Sequence, residues 1–189
     1  MKSLLFKWWF WMLLLLAGSA YWWSQQQKME HPIPRPFLDV DTSRLSVIVI
    51  DPDGKAGQPP YKLFRDDSRW KVGYQSQRWY AKTHVMHRML RKLATIQPDQ
   101  LVARDASAWP QYGLVPGEAY CIRLLWMHGQ ERQERMFWLG YQDIRNQKQA
   151  ITYIRRAGDS AVYAVPAYYG TDLMGEPEDW MADQQARDP

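Results

Sequence analysis

The chain has 189 residues, a formal net charge of +4, one cysteine and 14% aromatic residues, including 11 tryptophans and 11 tyrosines. This length fits one globular domain with an appendage and does not fit a multidomain enzyme. With 46% hydrophobic and 23% charged residues, the chain can form a packed core, which excludes disorder throughout. A single cysteine excludes an intramolecular disulfide framework and a cysteine-rich zinc or iron–sulfur site.

The first segment, Leu4–Trp23, contains one charged residue and predicts a single N-terminal transmembrane helix. A helix of this length spans roughly 30 Å, the thickness of the hydrocarbon core of a bilayer. Aromatic residues crowd both of its ends, as is typical of the two membrane interfaces. The predicted membrane-interface residues are Lys7, Trp8, Trp9, Trp11, Tyr21, Trp22 and Trp23.

A cleaved signal peptide is the main alternative, because Gly18, Ser19 and Ala20 are small residues of the kind that precede a cleavage site. The following Tyr21, Trp22 and Trp23 favour an uncleaved signal anchor, and a buried helix of a soluble protein is the third interpretation. Lys2 and Lys7 in the short segment before and at the start of the helix favour a cytoplasmic location for the amino terminus. We therefore predict a single-pass protein of the bacterial inner membrane with its C-terminal domain in the periplasm.

The rest of the chain divides into two further parts. Residues 28–36 carry three closely spaced prolines and predict a semi-rigid stalk after the anchor, residues 1–27. An ordered lead-in to the fold is the alternative for this stretch. Residues 37–189 contain no later linker and predict one periplasmic domain.

Alternation of apolar and polar residues in the domain predicts three β-hairpins with glycine-containing turns. Their paired segments are Arg44–Ile50 with Tyr61–Arg65, Ala119–Met127 with Arg135–Leu139, and Ala150–Arg155 with Ala161–Val165. Trp70–Val72 is expected to pair beside the first hairpin.

One convincing helix is predicted over Gln77–Ile96, because Met86, Met89, Leu90 and Leu93 recur at three- and four-residue intervals. Short helices or turns are expected at Ser107–Tyr112 and Pro166–Met174, and Glu176–Trp180 is expected to dock by its tryptophan. The predicted fold class is α+β: an antiparallel sheet of hairpins with one main helix packed on a face, preceded by the transmembrane helix.

Few patterns indicate chemistry, and we predict no catalytic residue, no cofactor and no metal. His84 and His87 share a helix face at a spacing that metal ligands use, but Lys82 and Arg88 beside them would repel a cation. Cys121 lies on a predicted strand without a nearby histidine, so we interpret it as a buried structural residue. An enzyme that uses Cys121 or a histidine is the least favoured interpretation.

Charge is unevenly distributed along the domain. Residues 62–104 contain ten Lys and Arg against three acids, whereas residues 172–189 contain six acids against one Arg. A basic surface would suit anionic headgroups or an acidic partner, although neutralisation within the chain is the alternative. No nucleic-acid recognition motif is seen, and the sequence does not identify a small-molecule ligand. The predicted partner-contact residues are Arg88, Arg91, Lys92, Tyr168 and Tyr169.

The order of these features resembles a family of bacterial membrane-anchored envelope proteins of unassigned function that often accompany gliding-type ABC transporters (GldG-like auxiliary proteins). The resemblance covers about Arg44 to Trp180 and rests on Val47–Ile50, Gly54, Trp70, Met86–Leu93, Tyr112–Pro116, Leu139-Gly140, Tyr153–Arg155, Gly158 and Val162–Val165. Gly57–Pro60 lengthens the first turn relative to the family pattern. The resemblance implies an envelope location and an association with a transporter, and it supplies no catalytic residue.

The sequence therefore predicts a non-enzymatic accessory or scaffold subunit of an inner-membrane envelope complex, such as an ABC transporter auxiliary that binds protein partners. The alternative is a periplasmic binding module for an envelope lipid or glycan, using exposed aromatic residues such as Tyr168 and Tyr169.

Overall fold

The computed structural model describes residues 33–52, 58–146 and 149–182. The predicted transmembrane helix with its interface residues and most of the stalk lie outside the described residues. Among the residues described, no helix is long and apolar enough to cross a membrane. The chain separates into two units, residues 1–34 and 35–189, and all described helices and strands belong to the second.

The second unit is built on one nine-stranded sheet, in which every pair of neighbouring strands is antiparallel. Its strands are β1 (Leu45–Asp51), β2 (Tyr61–Asp66), β3 (Arg69–Tyr74), β4 (Gln77–Tyr80), β5 (Gln100–Ala103), β6 (Tyr120–His128), β7 (Glu131–Asn146), β8 (Gln149–Arg156) and β9 (Val162–Val165). Their spatial order is β4-β3-β2-β1-β6-β7-β8-β9-β5. The predicted antiparallel sheet is confirmed.

The three predicted hairpins are present as β1–β2, β6–β7 and β8–β9, and β3 pairs beside β2 as expected. Gly129 and Gly158 lie in the second and third turns with φ of +63° and +77°, a conformation that glycine adopts without steric cost. The turn of the first hairpin includes residues outside the described ranges, among them Gly54.

The helical segments are short: α1 (Thr83–Ala94), a 3-10 helix (Ala106–Tyr112), α2 (Gly170–Leu173) and α3 (Pro177–Trp180). Trp180 of α3 is fully buried, which confirms that Glu176–Trp180 docks by its tryptophan. The indole of Trp180 donates a hydrogen bond to the hydroxyl of Tyr61 over 3.0 Å. This bond fastens α3 to β2.

One face of the sheet forms the core. Alternate residues of neighbouring strands, such as Ile48, Leu63, Ile122 and Phe137, are completely buried there. Helix α1 adds four buried residues of its amphipathic face, Val85, Met86, Met89 and Leu93. Burying an aliphatic or aromatic side chain of this size contributes about 1.5–3 kcal/mol, so this layer dominates the stability of the domain.

The predicted start of the main helix, at Gln77, is wrong. Gln77–Tyr80 forms edge strand β4, and the helix begins only at Thr83. A two-residue turn at Gln75 and Ser76, with φ of +46° and +67°, reverses the chain from β3 into β4. Cross-strand pairing with β3 therefore replaces the helical conformation predicted for Gln77–Tyr80.

Strand β5 is not foreseen by the sequence patterns. It has four residues, pairs with β9 and forms the other edge of the sheet. The helix predicted over Pro166–Met174 is reduced to the single turn α2.

Candidate functional site

The predicted partner-contact residues of helix α1 meet a buried acid. Arg88 Nε donates to Asp172 Oδ1, and Lys92 Nζ lies 3.7 Å from Asp172 Oδ2. Asp172 is only 6% exposed. These two cations are therefore paired within the domain and fasten α1 to α2, which favours internal neutralisation at this position.

The two tyrosines of this region differ in exposure. Tyr168 is 40% exposed, and its carbonyl accepts a hydrogen bond from Lys92. Tyr169 is 2% exposed, and burial raises its pKa to about 12. The expectation that Tyr169 presents its ring to a ligand is therefore wrong. Arg91 is exposed like Tyr168, and contact of either residue with a partner stays a prediction.

The candidate chemical residues are scattered. Within the described residues, no group of three or more His, Cys, Asp and Glu side chains is arranged to hold a metal ion. His84 and His87 are exposed on α1. Cys121, expected to be buried, is half-exposed on β6 opposite Trp138 of β7.

Arg155 is held between two tryptophans. Its guanidinium carbon lies 4.0 Å from the ring centre of Trp109 and 3.6 Å from that of Trp138. Its Nε donates to the Leu114 carbonyl over 3.2 Å, and desolvation lowers the pKa of Arg155. A cation that stacks on two rings is well suited to arginine, and here it joins the 3-10 helix to the sheet.

Two glycines make this junction possible. Gly113 ends the 3-10 helix with φ of +64°, and a Cβ there would lie 2.5 Å from the Tyr141 ring. A Cβ on Gly140 would lie 2.1 Å from the Tyr112 carbonyl oxygen. The Tyr112–Pro116 and Leu139-Gly140 segments of the sequence motif are thus packed directly against each other.

The face of the sheet opposite the core carries cations between apolar residues. Two cross-strand rows define this surface, which we call the open face. They are Arg123–Val49–Lys62–Gly73–Arg78 and Leu125–Val47–Phe64–Lys71–Tyr80. Arg123, Lys62 and Arg78 are exposed, whereas Val47, Val49 and Phe64 are half-buried.

Aromatic rings organise the cations of the open face. Lys62 and Arg78 lie 5.6 and 5.5 Å from the ring centre of Phe64. Lys71 and Arg69 lie 5.2 and 5.5 Å from the ring centre of Tyr80. Two rings therefore carry four cations, which concentrates positive charge at β2, β3 and β4.

Carboxylates neutralise only part of this charge. Asp66 accepts a hydrogen bond from Lys71 over 2.6 Å, and this bond raises the pKa of Lys71 and lowers that of Asp66. Glu134 pairs with Arg123 at 3.2 Å. Lys62, Arg69 and Arg78 have no ion pair with any carboxylate of the described ranges.

The open face is concave near its edge. A cavity of about 430 Å³ is lined by Val49, Lys62, Gly73, Arg78 and the β3–β4 turn. Gly73 lets the Lys62 side chain and the Phe64 ring lie close over β3, since a Cβ there would be 3.1 Å from Lys62 and 3.3 Å from Phe64. Sequence reasoning missed this surface because its members come from five strands. The excess of Lys and Arg over residues 62–104 and the two-residue spacing of Lys62 and Phe64 are the local signals.

A second cavity, of about 390 Å³, lies where β3 and β4 meet α1. Its lining includes Trp70, Tyr80, Lys82, Met86 and His87. This cavity is therefore lined by aromatic rings (Trp70 and Tyr80) together with polar side chains (Lys82 and His87).

Comparison with known proteins gives one finding. A family model described as a domain of unknown function (DUF4340) matches residues 70–186, which include all but the first residue of β3, strands β4 to β9 and every helical segment within the described ranges. No curated protein and no solved structure matches the chain.

Proposed function

The chain belongs to the DUF4340 family, and from this premise we propose that it is a non-catalytic, membrane-anchored accessory subunit of a bacterial inner-membrane envelope complex. In this proposal the open face binds a protein partner. The complex is of the ABC transporter type, as the sequence resemblance implies, and the domain is periplasmic.

The composition of the open face carries this proposal. It combines half-buried apolar residues (Val47, Val49 and Phe64) with exposed arginine and lysine. Arginine and aromatic residues are enriched in protein interfaces, where apolar contacts lie among charged groups that select the partner. A rigid sheet with fixed register holds these side chains in place before binding, which reduces the entropic cost of association.

The amino-terminal segment supports the membrane part of the proposal. Leu4–Trp23 has the length, apolar content and aromatic ends of a single-pass anchor. A tethered domain meets its partner at a high effective concentration, so even a modest interface suffices for stable assembly.

Co-purification tests the proposal. The tagged full chain is extracted from membranes of its native host in mild detergent, and the recovered proteins are quantified by mass spectrometry. We expect an inner-membrane protein at constant stoichiometry, absent from a parallel preparation of an unrelated tagged single-pass protein. Recovery of the chain as a lone monomer would contradict the proposal.

The cavity beside α1 favours a second candidate, a binding module for an envelope lipid or glycan. Its volume of about 390 Å³ lies in the range of small-molecule sites, and Trp70 and Tyr80 supply rings on which a sugar can stack. Titration of the full chain with envelope glycans, followed by tryptophan fluorescence, tests this candidate. A saturable change that Trp70→Ala abolishes is expected, and an unchanged spectrum would exclude it.

A further inference from the structure

We propose that the open face binds an acidic, extended segment of a partner protein. This inference rests on the proposed function and specifies the chemistry of the partner. The carboxylates of such a segment would enter the cavity between Lys62 and Arg78.

Unbalanced charge is the first argument. Lys62, Arg69 and Arg78 contact aromatic rings, and no carboxylate among the described residues pairs with them. A cation over a ring keeps most of its donor groups available. An incoming carboxylate can therefore form charge-assisted hydrogen bonds without first breaking an ion pair.

Geometry is the second argument. Lys62 and Arg78 flank Gly73 on neighbouring strands, so their backbones are about 10 Å apart. The cavity of about 430 Å³ opens between them. An extended segment is narrow enough to lie in this depression, and carboxylates along it can reach the cations on both sides.

The outer side of edge strand β4 is the third argument. In the register of the β3–β4 hairpin, the backbone groups of Arg78 and Tyr80 point away from β3. The C-terminal segment pairs with one end of this edge, since Met181 forms an antiparallel bridge with Ala81 and Ala182 donates its N–H to the Tyr80 carbonyl over 2.8 Å. No backbone bond to the outer side of Arg78 is made by residues 33–52, 58–146 or 149–182. An extended partner segment can pair with this edge beside the cations, which is a common mode of peptide recognition.

A membrane surface fits the open face less well. No large apolar side chain of its two rows is exposed, since Val47, Val49 and Phe64 are half-buried and Leu125 is buried. Amphipathic interfacial binding gains much of its strength from apolar side chains that insert between headgroups, and charge alone would have to hold this face on a membrane. A concave, charged surface favours a protein segment.

Fluorescence anisotropy with defined peptides tests the proposal. The full chain, reconstituted in phosphatidylcholine nanodiscs, is titrated into a labelled dodecapeptide of alternating Glu and Thr, and into its Lys–Thr counterpart. We expect the acidic peptide to bind at least tenfold more tightly than the basic one. Equal binding of the two peptides, or no binding of either, would overturn the proposal.

Matched variants locate the binding. Arg78→Glu is expected to weaken binding of the acidic peptide about tenfold, the effect of losing one charge-assisted bond. Arg91→Glu makes the same charge change at an exposed position of α1, outside the open face, and is expected to weaken it less than twofold. Equal losses in the two variants would show a non-specific charge effect and overturn the proposal.

A separate comparison tests whether an anionic lipid, rather than a protein segment, occupies the open face. Nanodiscs with one-third phosphatidylglycerol are compared with pure phosphatidylcholine nanodiscs. Unchanged peptide affinity supports the proposal, and displacement of the peptide by phosphatidylglycerol identifies lipid as the occupant and overturns it. If the peptide fails to bind while the tagged chain still co-purifies with a partner, the acidic chemistry is wrong and the proposed function stands.

Discussion

Gly140→Ala is the sharpest test of the junction between the 3-10 helix and β7. The added Cβ would lie 2.1 Å from the Tyr112 carbonyl oxygen and 2.9 Å from Leu114 Cγ. The carbonyl belongs to a fixed turn, since Leu114 N donates to Trp109 O over 3.0 Å at the end of the 3-10 helix. The backbone must therefore move, and we expect a loss near the upper end of the overpacking range, about 3 kcal/mol.

Thermal unfolding of the full chain, followed by circular dichroism, measures this loss. At about 2–4 °C per kcal/mol for a domain of this size, Tm is expected to fall by roughly 6–12 °C. Gly129→Ala is the control, because Gly129 has φ of +63° but open space where the Cβ would lie. This substitution therefore costs only the backbone strain of an alanine at positive φ, about 1 kcal/mol. A Tm of Gly140→Ala equal to or above that of Gly129→Ala would refute the packing argument.

Three further predictions concern the contacts of charged and buried groups. Asp172→Ala removes the acceptor of Arg88 and Lys92 and is expected to lower the free energy of unfolding in urea by about 2 kcal/mol, whereas Arg91→Ala at an exposed position changes it by less than about 0.5 kcal/mol. Arg155→Lys loses the double stacking on tryptophan and is expected to shift tryptophan fluorescence and cost about 2 kcal/mol; an equal effect of Arg123→Lys, in an exposed pair, would contradict this. Burial raises the pKa of Tyr169 to about 12, so its neutral form stabilises the fold fully below pH 10, and this contribution is lost as the pH rises from 10 to 12. Alkaline unfolding monitored by tyrosinate absorbance should fall in that window, and ionisation of every tyrosine near pH 10 with the fold intact would contradict the prediction.

Local patterns were sufficient for the hairpins. Strands β1, β6 and β8 form where the alternation predicts strands, and Gly129 and Gly158 mark two of the turns. Each of these elements is determined by residues close in sequence, so a single chain is enough to predict them.

Two strands required non-local information. The β3–β4 turn uses Gln75 and Ser76 at positive φ in place of glycine, so no glycine signal marks the start of β4 as a separate strand. Strand β5 is too short to alternate recognisably, and its pairing with β9 joins positions about 60 residues apart. In both cases tertiary pairing overrides local preference.

The candidate site was predictable only in its charge. The excess of Lys and Arg over residues 62–104 is visible in the sequence, but it does not show which cations are neutralised. Arg88 and Lys92 meet Asp172 from a distant segment, while Lys62 and Arg78 remain on the open face because β-sheet register places Gly73 between them. We therefore expect a partner to bind the open face rather than the side of α1 that carries Arg88 and Lys92.

Photocrosslinking in the native host tests the central claim most directly. A benzophenone amino acid replaces Lys62 on the open face or, as the control, Arg91 on the exposed side of α1, and the adducts of the full chain are identified by mass spectrometry. The account predicts one discrete protein adduct from position 62 that is absent from position 91, with an acidic segment at the site of attachment. Identical adducts from both positions, or none from position 62, would contradict it.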